Sequence, residues 1–238
     1  MEKFGLRLVR SEKGRMSKEQ RLQYEKDLAL AETQTDWKII KAPSDTKGKR
    51  ERTHQETGCE FLSKWIERIR PPEILDIGSY RQFCLGVASY YSITALDVRE
   101  LESDLKNEKI VVADAKVLPF PDESFDMVSA LDSIPYFGLG RYGDEIDMGA
   151  DKKAIQEMIR VLKPGGHLIF TAPIKSGLPI LYFNAARAYN LETIRELCQG
   201  LNLVEEKFYS RDKKSFVQNP PPSNSFSSLG YYLGCWQK

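Results

Sequence analysis

Beyond Pro72 the chain alternates short apolar runs with longer stretches of helical periodicity. Strand-length runs fall at 73–77, 93–97, 110–114, 125–131 and 167–172, with two more at 203–209 and 231–236. Helical stretches read at about 83–91, 151–162 and 191–200. In the second of these, Ile155, Met158, Ile159 and Leu162 recur at i, i+3, i+4 and i+7, which is one buried stripe. The run Lys163-Pro164-Gly165-Gly166 then stops it. Strands alternating with helices predict parallel βαβ units, right-handed crossovers and a doubly wound α/β sheet.

Two helices precede this region. Ser17 and Gln20 make an S-x-x-Q capping box before a helix to about residue 32, and Thr57 and Glu60 make a second box. Phe61, Leu62, Trp65, Ile66 and Ile69 follow at helical spacing until Pro71-Pro72. A polar, basic link spans 47–52, and a Pro/Ser-rich loop spans 219–228. The expected organisation is a basic helical extension over 1–55 and an α/β domain over 56–238.

Composition narrows the class. Of 238 residues, 41% are hydrophobic and 29% charged, which fits an ordinary globular protein. No apolar run approaches the roughly 18 to 20 residues of a membrane span, and the charged N-terminus carries no apolar signal core. Residues 1–58 hold 14 Lys/Arg against 10 Asp/Glu, so the head is basic and the remainder slightly acidic. Four widely spaced cysteines with two histidines argue against a disulfide framework or a zinc site. Reduced thiols in a cytoplasmic protein are the expectation.

Ligands of an open parallel sheet bind beyond the carboxyl ends of the strands. Asp76-Ile77-Gly78-Ser79 ends the first strand; Gly78 permits a tight turn, and the following helix offers free N–H groups. Asp97 ends the second strand, where a carboxylate can accept both hydroxyls of a ribose. Asp114-Ala115 ends the third, where a carboxylate can accept an exocyclic amine. Three acids at successive strand ends describe a nucleoside site.

The runs ILDIGS (74–79) and LPFPDESFDMV (118–128), the acids Asp97 and Asp114, and VLKPGGHLIFTAP (161–173) together resemble class I S-adenosylmethionine-dependent methyltransferases over roughly 58–238. The last two runs are similar to the branch that methylates small molecules and glycans. The resemblance implies a Rossmann-like, mostly parallel seven-stranded sheet with its last strand antiparallel. It implies S-adenosyl-L-methionine contacts at Asp76, Gly78, Ser79, Asp97, Val98, Asp114, Ala115 and Leu131. One departure stands out: Tyr80 and Gln82 occupy the second and third glycine positions of the family's G-x-G-x-G turn. Either the turn takes another path, or cofactor binding is weakened or lost.

A narrower resemblance lies in FGLGRYGD (137–144), Ile146-Asp147 and FNAARAY (183–189). These are similar to a poorly characterised methyltransferase-like family found with glycan and surface-polysaccharide genes, which implies a sugar-type acceptor. The loop itself points the same way, since tyrosines stack on sugar rings and carboxylates accept from hydroxyls. Tyr136, Arg141, Tyr142, Asp147, Asn184 and Arg187 are the expected acceptor contacts. Asp132, just past the fourth strand, and Asp144 are the candidate bases. No metal is expected, a cation held by Asp132, Asp144 and Asp147 being the weaker alternative. His54 reads as solvated in the basic link, His167 as a surface residue and Trp65 as core.

The expected function is transfer of a methyl group to a hydroxyl of a small molecule or glycan. One alternative is a catalytically degenerate scaffold, supported by Tyr80 and Gln82. Another is a nucleic-acid methyltransferase recruited by the basic head. Nucleic acid is disfavoured because Asp132-Ser133-Ile134-Pro135 stands where an N-P-P-Y-like tetrad belongs. A homodimer is compatible with the sequence.

Overall fold

The computed structural model describes residues 18–34, 52–182, 185–222 and 228–238. The chain divides into two units, Met1–Glu51 and Arg52–Lys238. In the first, helix α1 (Lys18–Gln34) leaves Leu22 and Leu30 exposed. Ser17, its expected cap, lies outside the described residues, as do 223–227 of the Pro/Ser-rich loop.

The second unit opens with helix α2 (His54–Ile69), and here the expected cap is corrected. T-x-x-E occurs twice, four residues apart, and the first copy is the one used. Thr53 Oγ1 accepts from Glu56 N at 3.1 Å, and Glu56 Oε2 accepts from Thr53 N at 2.9 Å. Thr57 is instead buried inside the helix. The shift adds one helical turn and carries His54 out of the link.

Then follow β1 (Glu73–Ile77), α3 (Arg81–Ala88), β2 (Ser92–Asp97), β3 (Glu108–Val112), β4 (Phe125–Leu131), a 3-10 turn (Ile134–Tyr136), α4 (Ala150–Val161) and β5 (Leu162–Ile174). After these come β6 (Ile180–Tyr182), β7 (Ala186–Ala188), α5 (Leu191–Leu197), β8 (Asn202–Ser210), β9 (Ser215–Val217) and β10 (Gly230–Gln237). The main sheet runs β3-β2-β1-β4-β5-β10-β8-β9. Its first five strands are parallel, and β10 is antiparallel to both neighbours. The doubly wound, mostly parallel architecture is the expected one, but the sheet has eight strands rather than seven. The extra strand, β9, folds back on β8. A separate ribbon, β6–β7, adds two further strands. Lys163–Gly166 does end α4, yet it also opens β5, with a register shift against β4.

Strand alternation explains the two layers. Leu75, Ile77, Val128, Ala130, Phe170 and Tyr232 face α4 and α5, where Ile155, Met158 and Ile194 are fully buried. Ile74, Met127, Leu131, Ile169, Tyr231 and Leu233 face α2 and α3, against Phe61, Leu62, Trp65 and Cys84. Each fully buried Val, Leu, Ile, Phe or Met among them contributes about 1.5–3 kcal/mol. Trp65 is core, as expected. Cys84, Cys198 and Cys235 are buried free thiols, and Cys59 is half-buried. Strand order reverses between β1 and β4, so the sheet's switch point lies beyond the tips of β1, β2 and β4. Among the described residues no helix is long and apolar enough to cross a membrane.

Candidate nucleoside and acceptor site

A cleft of about 430 Å3 opens at that switch point. All eight expected cofactor contacts border it: Asp76, Gly78, Ser79, Asp97, Val98, Asp114, Ala115 and Leu131. The β1 turn is built from within. Asp76, buried at 2% exposure, accepts from Ser79 N, Ser79 Oγ, Ser129 Oγ and Cys84 Sγ at 2.6–3.2 Å. Burial raises its carboxyl despite those donors. Ser79 Oγ also accepts from Leu131 N at 2.8 Å, which ties the turn to the end of β4. Gly78 takes φ +67°, and a Cβ there would stand 3.1 Å from Ser133 Cβ.

Tyr80 resolves the departure from the glycine pattern. It has φ −63° and ψ 117°, ordinary extended backbone that needs no glycine. Its phenol crosses to β4 and donates to Asp132 Oδ2 at 2.8 Å. Asp132 sits at φ +62°, a left-handed conformation that a non-glycine residue rarely holds. Its side chain is 9% exposed, and Oδ1 is buried without a hydrogen bond of good geometry, the neighbouring Tyr231 hydroxyl being likewise unpaired. An orphaned carboxylate oxygen on a strained residue at a cleft wall fits a site that receives a donor from a ligand.

His54 also belongs here, which corrects its reading as a solvated link residue. Nε2 lies 3.8 Å from Asp132 Oδ2 and 3.5 Å from Arg211 Nη2, and the ring packs 4.6 Å from Tyr231. Burial, aided by Arg211, lowers its pKa. His167 is lowered too, by burial and Arg68, with its ring 5.8 Å from Trp65. Both histidines of the chain therefore bind protons more weakly folded than unfolded. The unfolded state takes up protons near pH 6.5, so stability falls as pH drops from about 7.5 to 5.5. Melting temperature across that window should show the slope, and His54→Gln with His167→Gln should flatten it.

Asp97 and Asp114 differ in their surroundings. Burial pushes the Asp97 carboxyl up, but Arg99 outweighs it and holds the group below its ordinary value. Arg99 chelates it, Nε to Oδ1 at 2.9 Å and Nη2 to Oδ2 at 2.7 Å. Asp114 lies in the turn two residues past β3, with Lys116 Nζ at 3.3 Å. Arg99 is a residue the sequence reading missed.

The loop after the 3-10 turn supplies the opposite wall. Tyr136, Arg141, Tyr142 and Asp144 border the cleft. Arg141 stacks over Tyr136 at 4.6 Å and donates to Ala185 O at 2.7 Å. Asp144, expected as a base, turns inward: Oδ1 accepts from Tyr142 N at 3.1 Å. Burial raises its carboxyl, but loop amides at 142, 138 and 140 outweigh that and keep it charged. One oxygen so held staples the loop, while Oδ2 is buried without a hydrogen-bond partner.

Asp147 and Arg187, expected to touch the acceptor, lie outside the cleft lining. Asp147 accepts from Gly149 N and Lys153 Nζ at the start of α4. Arg187 donates to the carbonyls of Phe137 and Met148 at 2.6 and 3.1 Å. Both shape the loop. Asn184 lies outside the described residues. The three acids weighed for a cation do not converge, and no metal-ligating cluster of three occurs among the described residues.

Comparison with known proteins bears on the domain and its fold. A methyltransferase-domain family model matches residues 75–170. The ubiquinone/menaquinone biosynthesis C-methyltransferase UbiE of Ectopseudomonas mendocina is 41% identical over 75 residues, 32% of this chain and 25% of that protein. The chain thus spans about a quarter of the length of the curated relatives it matches. The 4+2 cyclase SpnF superposes with TM-score 0.58 at 19% identity, covering 92% of this chain and 94% of that one. The Burkholderia thailandensis 1,6-didemethyltoxoflavin-N1-methyltransferase, solved with S-adenosylhomocysteine, gives 0.57 at 13% identity, covering 96% and 93%. Residues 75–170 therefore carry the sequence pattern of a methyltransferase domain, on the doubly wound fold that class I S-adenosylmethionine-dependent methyltransferases share with a cyclase.

Proposed function

We propose that this chain is an S-adenosylmethionine-dependent methyltransferase acting in the cytoplasm on a hydroxyl of a small molecule or glycan. The observation that carries this is the orphaned oxygen of Asp132, set in the same cleft as Asp97, Asp114 and the Gly78 turn. The cleft volume falls in the range of small-ligand sites, about 300–1,000 Å3. Asp97 would hold the ribose hydroxyls, Asp114 the adenine amine, and the Gly78 turn the amino-acid end. When bound, the cofactor supplies a methyl group on a sulfonium leaving group.

The protein's own task is then to align the acceptor and take its proton. Asp132 Oδ1 receives the acceptor hydroxyl, Tyr80 fixes the carboxylate through Oδ2, and neutral His54 stands beside it. Tyr136, Tyr142 and Arg141 offer aromatic faces and a guanidinium to a sugar-like ring. A carbon nucleophile is the second reading, favoured by the activity named for the curated relatives. An enolisable or phenolic acceptor would use the same base.

Calorimetry with S-adenosylhomocysteine is the first test. Binding that Asp97→Ala weakens about ten- to a hundred-fold supports the reading, since hydrogen bonds to a charged acceptor contribute about 1.5–3 kcal/mol. No heat and no thermal shift with the unaltered chain would favour the scaffold. Product analysis after turnover with hydroxylated and enolisable acceptors separates oxygen from carbon methylation.

A further inference from the structure

Asp97 has fewer free positions than a ribose needs. A carboxylate offers about four lone-pair sites. Three are taken: Oδ1 accepts from Arg99 N and Arg99 Nε, both at 2.9 Å, and Oδ2 accepts from Arg99 Nη2 at 2.7 Å. One hydroxyl can be accepted beside the guanidinium, but the two of a vicinal diol cannot. The arginine is the partner able to leave, since its side chain is 54% exposed and that of Asp97 only 9%.

Leaving has a second consequence. The Arg99 guanidinium lies 4.7 Å over the Tyr142 ring, and Tyr142 in turn meets Tyr136 edge-on at 6.1 Å and Arg141 at 5.5 Å. Arg99 is therefore the side chain that joins the tip of β2 to the aromatic loop across the cleft. A cation over an aromatic face at such an exposed site is a weak contact that a ligand can displace.

We infer that Arg99 is a specificity-determining residue: its guanidinium occupies Asp97 until a vicinal diol replaces it, and its release unpins the acceptor loop at Tyr142. The inference rests on the reading that a nucleoside binds in this cleft. It assigns the ribose two roles, an anchor for the cofactor and the signal that frees the acceptor wall. A 2′-deoxy ligand can use the one lone pair already free and leaves Arg99 in place.

Calorimetry on the full chain with S-adenosylhomocysteine and with its 2′-deoxy analogue tests this. Arg99→Ala should tighten S-adenosylhomocysteine about five-fold, the scale of one exposed ion pair, and leave the 2′-deoxy analogue little changed. Tyr142→Ala, which removes the face that holds the guanidinium, should tighten S-adenosylhomocysteine by a smaller factor, and Tyr142→Phe should match the unaltered chain. Weaker binding by Arg99→Ala, or equal gains for both ligands, would overturn the inference while leaving the nucleoside site standing. Unaltered affinity in Tyr142→Ala would overturn the link to the loop. No binding by either the unaltered chain or Arg99→Ala would remove the nucleoside reading and this inference together.

Discussion

Asp132→Asn is expected to slow methyl transfer by about 10²- to 10⁴-fold, the usual contribution of a positioned base, with S-adenosylhomocysteine affinity little changed. Asparagine is the informative replacement because it tolerates the left-handed backbone at φ +62°, where alanine would be strained. It keeps an oxygen for the Tyr80 phenol, removes the negative charge and turns the Oδ1 acceptor into an NH2 donor that cannot take a proton. Two stability effects oppose each other. A buried, half-satisfied carboxylate is costly, so neutralising it stabilises, while the phenol loses a charged acceptor that contributes about 1 kcal/mol or more. The melting temperature should therefore move little, and a lost rate cannot be ascribed to unfolding. Single-turnover formation of S-adenosylhomocysteine with an acceptor the unaltered chain uses is the measurement. The residual rate of the variant should climb with pH as the acceptor ionises by itself. A loss smaller than ten-fold would mean that the proton leaves by another route.

The sequence made the sheet readable because buried parallel strands are continuous apolar runs between turn residues. The bounds 73–77 and 125–131 match the structure residue for residue. The acids were readable for the same reason: once a strand's end is placed, the residues around it lie at the sheet edge where the cleft opens. β9 left no such trace. Ser215–Val217 is short and largely exposed, and it exists only because the chain turns back at 211–214 onto β8. Arg99 was invisible for a different reason. Nothing in Asp97-Val98-Arg99 indicates whether the arginine points to solvent or folds back on the acid. His54 could have been found, since preferring Thr53-x-x-Glu56 to the second T-x-x-E puts it at the helix start. Its approach to Asp132 and Tyr231 still depends on pairings made 78 and 177 residues along the chain, which no local pattern encodes. Asp144 and Asp147 show the converse: acids in a glycine-rich loop read as chemistry, whereas in the structure one oxygen of each holds a backbone amide, while Asp144 Oδ2 is buried at the cleft without a partner.

That loop is the second place where one atom should have a large effect. Gly138 takes φ +70°, accepts at its carbonyl from Asp147 N at 3.0 Å, and packs so closely that a Cβ would stand 2.1 Å from Asp147 O and 2.6 Å from Ala150 Cβ. Gly138→Ala must therefore either break the 138–147 closure or push α4 from its seat. Positive φ costs an L-residue roughly 1–2 kcal/mol, and overpacking adds roughly 1–3 kcal/mol. A combined loss of about 3 kcal/mol corresponds to a fall in melting temperature of roughly 6–12 °C for a unit of this size. Gly143→Ala separates the two causes. It shares the positive φ, at +85°, but its Cβ would meet nothing within 4 Å, so only the backbone cost remains. Equal melting temperatures for the two variants would mean that the Gly138 contact yields without cost. The expected result is a lower melting temperature for Gly138→Ala than for Gly143→Ala, with Gly138→Ala also losing acceptor turnover. The closure it breaks holds the loop that carries Tyr136, Arg141 and Tyr142 at the cleft, and without that wall the proposed base Asp132 would have nothing holding an acceptor against it.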